Sequence, residues 1–97
     1  MQFLTISRRR TEAYADTDFE PMLAAEAEQA RTLYAEGTVR QIWHRADMPG
    51  AVLMFEAASE EEVRGKLRQL PMVAAGMLEV VAVIPLNPYR GFGTKYL

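Results

Sequence analysis

From Gln2 to Arg8 the chain alternates Leu4 and Ile6 against Phe3, Thr5 and Ser7, a period of two that predicts a strand. A polar segment follows over Arg9–Asp18. Within it Asp16, Thr17 or Asp18 is placed to N-cap a helix, and Pro21 is tolerated in the first turn. Phe19, Met22, Leu23, Ala27, Ala30, Leu33 and Tyr34 then form a helical stripe over Phe19–Glu36, and Gly37 is the expected stop. Thr38–Arg45 and Ala51–Ala57 read as strands. The turn-forming Asp47-Met48-Pro49-Gly50 between them makes a hairpin. Ser59 with Glu62 three residues later has the spacing of a capping box. Val63, Leu67 and Leu70 share one face of the helix behind it, which Pro71 ends. Met77–Ile84 is an apolar, β-branched run and supplies a fourth strand. Pro85, Pro88, Gly91 and Gly93 should forbid regular structure beyond it.

The order β-α-β-β-α-β with right-handed crossovers has one compact solution. It is an α+β, ferredoxin-like four-stranded antiparallel sheet with two helices on one face. A sheet with one wet face alternates apolar and polar residues. These strands do not: Ile42 and Trp43, Leu53 and Met54, and Val80 and Val81 each place apolar neighbours on opposite faces. Both faces are therefore apolar. The expected cover for the second is the same face of another subunit, giving a dimeric α/β barrel, a homodimer or a higher homo-oligomer. Residues 1–86 form the expected domain. Residues 87–97 form a tail carrying Tyr89, Phe92 and Tyr96, placed to fold over its own sheet or to pack on a neighbouring subunit.

At 97 residues there is room for one domain, and 49% hydrophobic with 25% charged residues is a globular balance. A net charge of −2 argues against a nucleic-acid partner, and the apolar runs fall far short of a membrane span. Arg8–Arg10 follow the first apolar patch instead of preceding it, unlike a signal peptide, so a cytoplasmic location is expected. The chain has no cysteine and a single histidine, which excludes thiol chemistry and an ordinary multi-histidine metal site.

Candidate chemistry centres on the first helix. At about 100° per residue, Glu26 falls near the middle of the apolar stripe. Lost hydration raises the pKa of such a carboxylate and suits it to general acid–base work near neutrality. Two other arrangements fit the same stripe: a structural ion pair with an arginine such as Arg40, or a helix turned so that Glu26 reaches its edge. His44 is a second proton-handling group, or a hydrogen-bonded edge residue. Strict alternation puts Arg40, Ile42 and His44 on one strand face, where Arg40 suits an anionic ligand or serves as an edge charge. Trp43 fits a core, an interface or a pocket wall. Tyr14 sits in the loop after the first strand, where a lid could offer its hydroxyl. Arg8-Arg9-Arg10 could meet a phosphate, but three arginines among many acids read as a solvated edge. No glycine-rich phosphate loop follows a strand, and the methionines read as core filler.

Across Glu26–Pro88 the chain resembles the muconolactone delta-isomerase family of the dimeric α/β-barrel superfamily. The resemblance is carried by Glu26, Glu28 and Leu33, by Glu36-Gly37 followed by Arg40 and Ile42-Trp43, and by Phe55. Ser59, Leu70-Pro71, Glu79-Val80 and Asn87-Pro88 complete it. It implies a cofactor-free isomerase that shifts a double bond in a small anionic lactone by proton transfer. Glu26 or His44 would be the base, Arg40 the anion clamp and Trp43 a pocket wall. Asn87 stands where the family pattern has histidine and His44 where arginine is familiar, which implies a divergent member. Two other functions fit the same scaffold: a cofactor-free monooxygenase or cyclase acting on aromatic polyketides, and a non-catalytic oligomer that binds a small ligand.

Overall fold

A computed structural model describes residues 1–91. Its strands are β1 (Gln2–Arg9), β2 (Val39–His44), β3 (Ala51–Glu56) and β4 (Leu78–Leu86). Its helices are α1 (Asp16–Phe19), α2 (Leu23–Ala35), α3 (Glu60–Leu67) and α4 (Pro71–Ala74), with a 3-10 turn over Glu20–Met22 joining α1 to α2. The strands form one antiparallel sheet in the order β2-β3-β1-β4. This is the ferredoxin-like α+β arrangement that the element order implies.

The element ends follow local chemistry. Pro21 falls within the 3-10 turn, splitting what the stripe predicts as one helix. None of Asp16, Thr17 and Asp18 is the N-cap of α1. Ala15 holds that position, and its N–H donates to the Asp18 carboxylate at 2.8 Å. Helix α2 closes in a Schellman motif, with Thr38 N–H on the Leu33 carbonyl and Gly37 N–H on that of Tyr34, both 3.0 Å. Gly37 has φ +81°, a conformation that penalises a Cβ. Ser59 caps α3 by accepting from Glu62 N–H at 3.1 Å, and Glu62 reaches back to Ala58 N–H. Pro71 does more than end a helix. It holds Leu70 extended and opens α4. Pro85 lies inside β4, opposite Phe3, which an edge strand tolerates because one side of its backbone has no ladder partner.

Phe3, Thr5 and Ser7 of β1 face the helices. With Val39, Leu53 and Phe55 from the sheet and Leu33, Val63, Leu67 and Leu70 from the helical layer, Phe3 builds the main core. Full burial of each large apolar side chain contributes about 1.5–3 kcal/mol. A second cluster of Phe19, Met72 and Met77, with Tyr14, Met22 and Leu78 packed against it, closes one end of the layer. The outer face carries two cross-strand rows, Gln41–Met54–Leu4–Ile84 and Trp43–Val52–Ile6–Ala82. All but one of these residues are apolar, and Trp43 is 46% exposed. Phe92 and Tyr96 of the aromatic tail lie outside the described residues.

Two bulges adjust the sheet, one in the β1–β4 ladder between Ile6 and Ser7 and one in the β2–β3 ladder between Val39 and Gln41. The β2–β3 turn is tied to β1. Arg45 donates to both oxygens of the Asp47 carboxylate and to the Ser7 carbonyl, and Gly50 lies directly against that carbonyl. A Cβ at Gly50 would collide with the Ser7 oxygen, which is backbone and has little freedom to yield. Gly50→Ala is therefore expected to lower stability by about 1–3 kcal/mol, read as a lower urea midpoint at unchanged m-value. An unchanged midpoint would show that the hairpin yields freely.

Candidate functional site

The main core and the second cluster do not meet. Between them lies a cavity of about 460 Å3, enclosed by α2, the helix-facing side of the sheet and the Leu70–Met72 corner. Its size follows from small residues on its walls: Ala27 and Ala30 on α2, Gly50 and Ala51 at the start of β3. Leu23, Ile42, Leu53, Leu70, Met72 and Leu78 make the rest of the lining apolar. The polar side chains in the wall are Arg9, Glu26, Arg31 and His44. Exposed Leu23, Ile42 and His44 mark the open side, along edge strand β2.

Glu26 is half-buried in the α2 stripe. Its Oε1 accepts from Met72 N–H at 2.9 Å, so it satisfies an orphan donor in the first turn of α4 and ties α2 to that corner. Its other oxygen takes no hydrogen bond from the described residues. Burial pushes its pKa above the ordinary 4.5, with the Met72 N–H and the charge of Arg9 pulling the other way. His44 faces the same cavity from β2, opposite Ala51.

Other expected site residues stand elsewhere. Strict alternation would put Arg40 beside Ile42 and His44. The β2 bulge breaks that alternation and carries Val39 to the face of Ile42, so Arg40 is exposed and outside the cavity wall. Trp43 lies on the outer face, because it alternates with Ile42 and His44. Tyr14 is no lid over the cavity. It packs edge-on against Phe19, with ring centroids 6.1 Å apart, and its hydroxyl points to the Ala75 carbonyl at 3.5 Å.

Two cavity residues were not anticipated. Arg9 shares the β1 face of Phe3, Thr5 and Ser7, a placement that period-two alternation already encodes. Its position within a run of three arginines hid it. Arg31 lies four residues after Ala27 on α2, a helical spacing that marks the same side. Neither forms an ion pair with a described residue. No cluster of three or more metal-ligating side chains occurs among the described residues, and no helix there is long and apolar enough to cross a membrane.

Fold and site together define a ferredoxin-like α+β protein with a largely apolar cavity between its helices and sheet, lined by a carboxylate and an imidazole. The chain belongs to the muconolactone delta-isomerase family, whose pattern matches residues 1–91. That is a family of small-ligand enzymes that are usually oligomeric. Among solved structures, the chain is similar to 5-chloro-2-hydroxyhydroquinone dehydrochlorinase from Burkholderia phenoliruptrix AC1100, determined in complex with 2,5-dihydroxybenzoquinone. The identity is 22% over 92% of this chain and 94% of that one, with a TM-score of 0.68, a likeness of fold. No curated protein matches the chain.

Because the raised pKa lets folded Glu26 hold its proton more tightly than the unfolded chain does, its ionisation opposes folding. Its contribution falls as pH climbs from 4.5 through the raised value, then levels. Urea denaturation between about pH 4 and about pH 8 should show this decline in the parent and not in Glu26→Gln, whose amide oxygen still accepts from Met72. Glu26→Ala, which strands that N–H, should be less stable than Glu26→Gln by about 1–2 kcal/mol. Parallel pH profiles for parent and Glu26→Gln would contradict the assignment.

Proposed function

We propose that the protein is a cofactor-independent isomerase that moves a ring double bond in a small anionic lactone by proton transfer. The observation that carries this is that Glu26 on α2 and His44 on β2 line one largely apolar cavity, a carboxylate and an imidazole around the same space. Membership of the muconolactone delta-isomerase family supports the same chemistry. In this reading the free oxygen of Glu26 takes a proton from the saturated ring carbon next to the double bond, γ to the lactone carbonyl. The electron pair left behind delocalises onto the carbonyl oxygen as a dienolate. A proton returned at another ring carbon, by Glu26 or by His44 at the open side, completes the shift with no atom gained or lost. Burial keeps Glu26 basic enough for the first step, and the apolar walls limit exchange of the transferred proton with water. Positive charge from Arg9 and Arg31 favours an anionic substrate.

The test is muconolactone isomerisation, followed by absorbance and by deuterium incorporation from heavy water. Activity should rise with pH as Glu26 ionises. Glu26→Gln should lower kcat by about 10^2–10^4-fold with little change in KM, the usual contribution of a positioned base. His44→Gln should reduce kcat less where Glu26 both takes and returns the proton, and comparably where His44 returns it. Absence of turnover in the parent, or full turnover in Glu26→Gln, would remove the reading. Chloride release from chlorinated hydroxyhydroquinones is the informative control, since a dehydrochlorinase shares the fold.

The proposed assembly is a homodimer packed through the apolar outer rows, completing a closed barrel. Trp43→Glu introduces a charge into that face without touching the cavity wall. Sedimentation should show an oligomeric parent and a smaller species for Trp43→Glu. A parent that stays monomeric at micromolar concentration would refute the assembly.

A further inference from the structure

We propose that Arg9 is the specificity-determining anion clamp of the cavity, its guanidinium braced on the Phe19 ring and free to take the two oxygens of a ligand carboxylate. The inference deepens the isomerase reading and rests on it in taking this cavity as the substrate site. The ligand class is a compact ring bearing a carboxylate.

The three consecutive arginines have different surroundings. Arg8 is paired with acids, donating from Nε to Glu79 at 2.6 Å and from its two terminal nitrogens to Glu12 at 3.0 and 2.9 Å. Arg10 donates to the Gly76 carbonyl at 3.0 Å and lies 3.9 Å from Glu12. Arg9 points the other way. It pairs across the ladder with Leu78, lines the cavity, and forms no ion pair with any described residue.

Its guanidinium carbon sits 4.8 Å from the centroid of Phe19, a side chain only 1% exposed. A cation–π contact of this kind uses none of the guanidinium N–H donors, which stay available to an anion. A charge braced on a buried ring, in a mostly apolar cavity where it also acts on Glu26, loses little conformational freedom on binding an anion. Arg31, on the exposed surface of α2, has no such brace. Arg40 is outside the cavity altogether.

The probes are benzoate and its neutral counterpart benzamide, titrated calorimetrically into the protein. The parent should prefer benzoate. Arg9→Met, whose apolar stem still covers Phe19, should weaken benzoate binding by about 10–100-fold and leave benzamide unchanged. Arg9→Lys, with the charge but not the fork, should fall between. Arg8→Gln, which removes a charge one residue away, should keep the preference. The clamp is refuted if the parent does not prefer benzoate, if Arg9→Met retains the preference, or if Arg8→Gln loses it equally. No turnover enters these titrations. A failed muconolactone assay with an intact Arg9-dependent preference removes only the isomerase reading, and the opposite pattern removes only the clamp.

Discussion

The half-buried carboxylate of Glu26 and its bond to the Met72 amide tie helix α2 to a corner of the chain far along the sequence. Glu26 belongs to α2 and Met72, 46 residues later, to the short helix that Pro71 opens. The bond satisfies a backbone donor that a four-residue helix cannot use internally. It also positions a carboxylate against an apolar cavity at the cost of part of its hydration. The raised pKa and the corner's geometry are therefore two consequences of one contact.

The cavity owes its volume to an incomplete core. Phe3, Phe55 and Leu33 fill the middle of the helix–sheet layer, and Phe19, Met72 and Met77 fill one end. Alanine and glycine on the facing walls leave the space between unfilled. In a well-packed domain such a gap costs stability, and proteins keep gaps of this kind where a ligand enters. The outer sheet face is apolar as well. Its rows contain scarcely a polar residue, and no segment among the described residues covers Trp43 or Ile84. One face is arranged around a small cavity, and the other presents a broad apolar surface.

Much of this was legible along the chain, and the failures have specific causes. Period-two and helical patterns located every strand and the main helices, and Gly37 stands where the Schellman motif needs it. Glu26 and His44 could be read from periodicity because helix and strand spacing carry them to the cavity directly. Arg40 could not, because one extra residue in β2 inverts the facing of everything before it. Arg9 is the converse. Alternation from Phe3 onward places it inward, but a cluster of like charges reads as solvent-exposed until its neighbours are seen pairing with Glu12 and Glu79. Tyr14 belongs to a loop, where no period exists to say which way a side chain faces.

By itself the sequence determined the element order, the ferredoxin-like topology, the apolar character of both sheet faces and the presence of a carboxylate within a greasy helical stripe. These follow from short-range periodicity and from the handedness of crossovers, which are local properties of the chain. Only the tertiary structure decided which arginines line the cavity, that Trp43 faces away from it, and that Glu26 is held by the Met72 amide. Each of those depends on a bulge, a long-range backbone contact or a gap between two clusters, and such features arise from how the elements pack against one another.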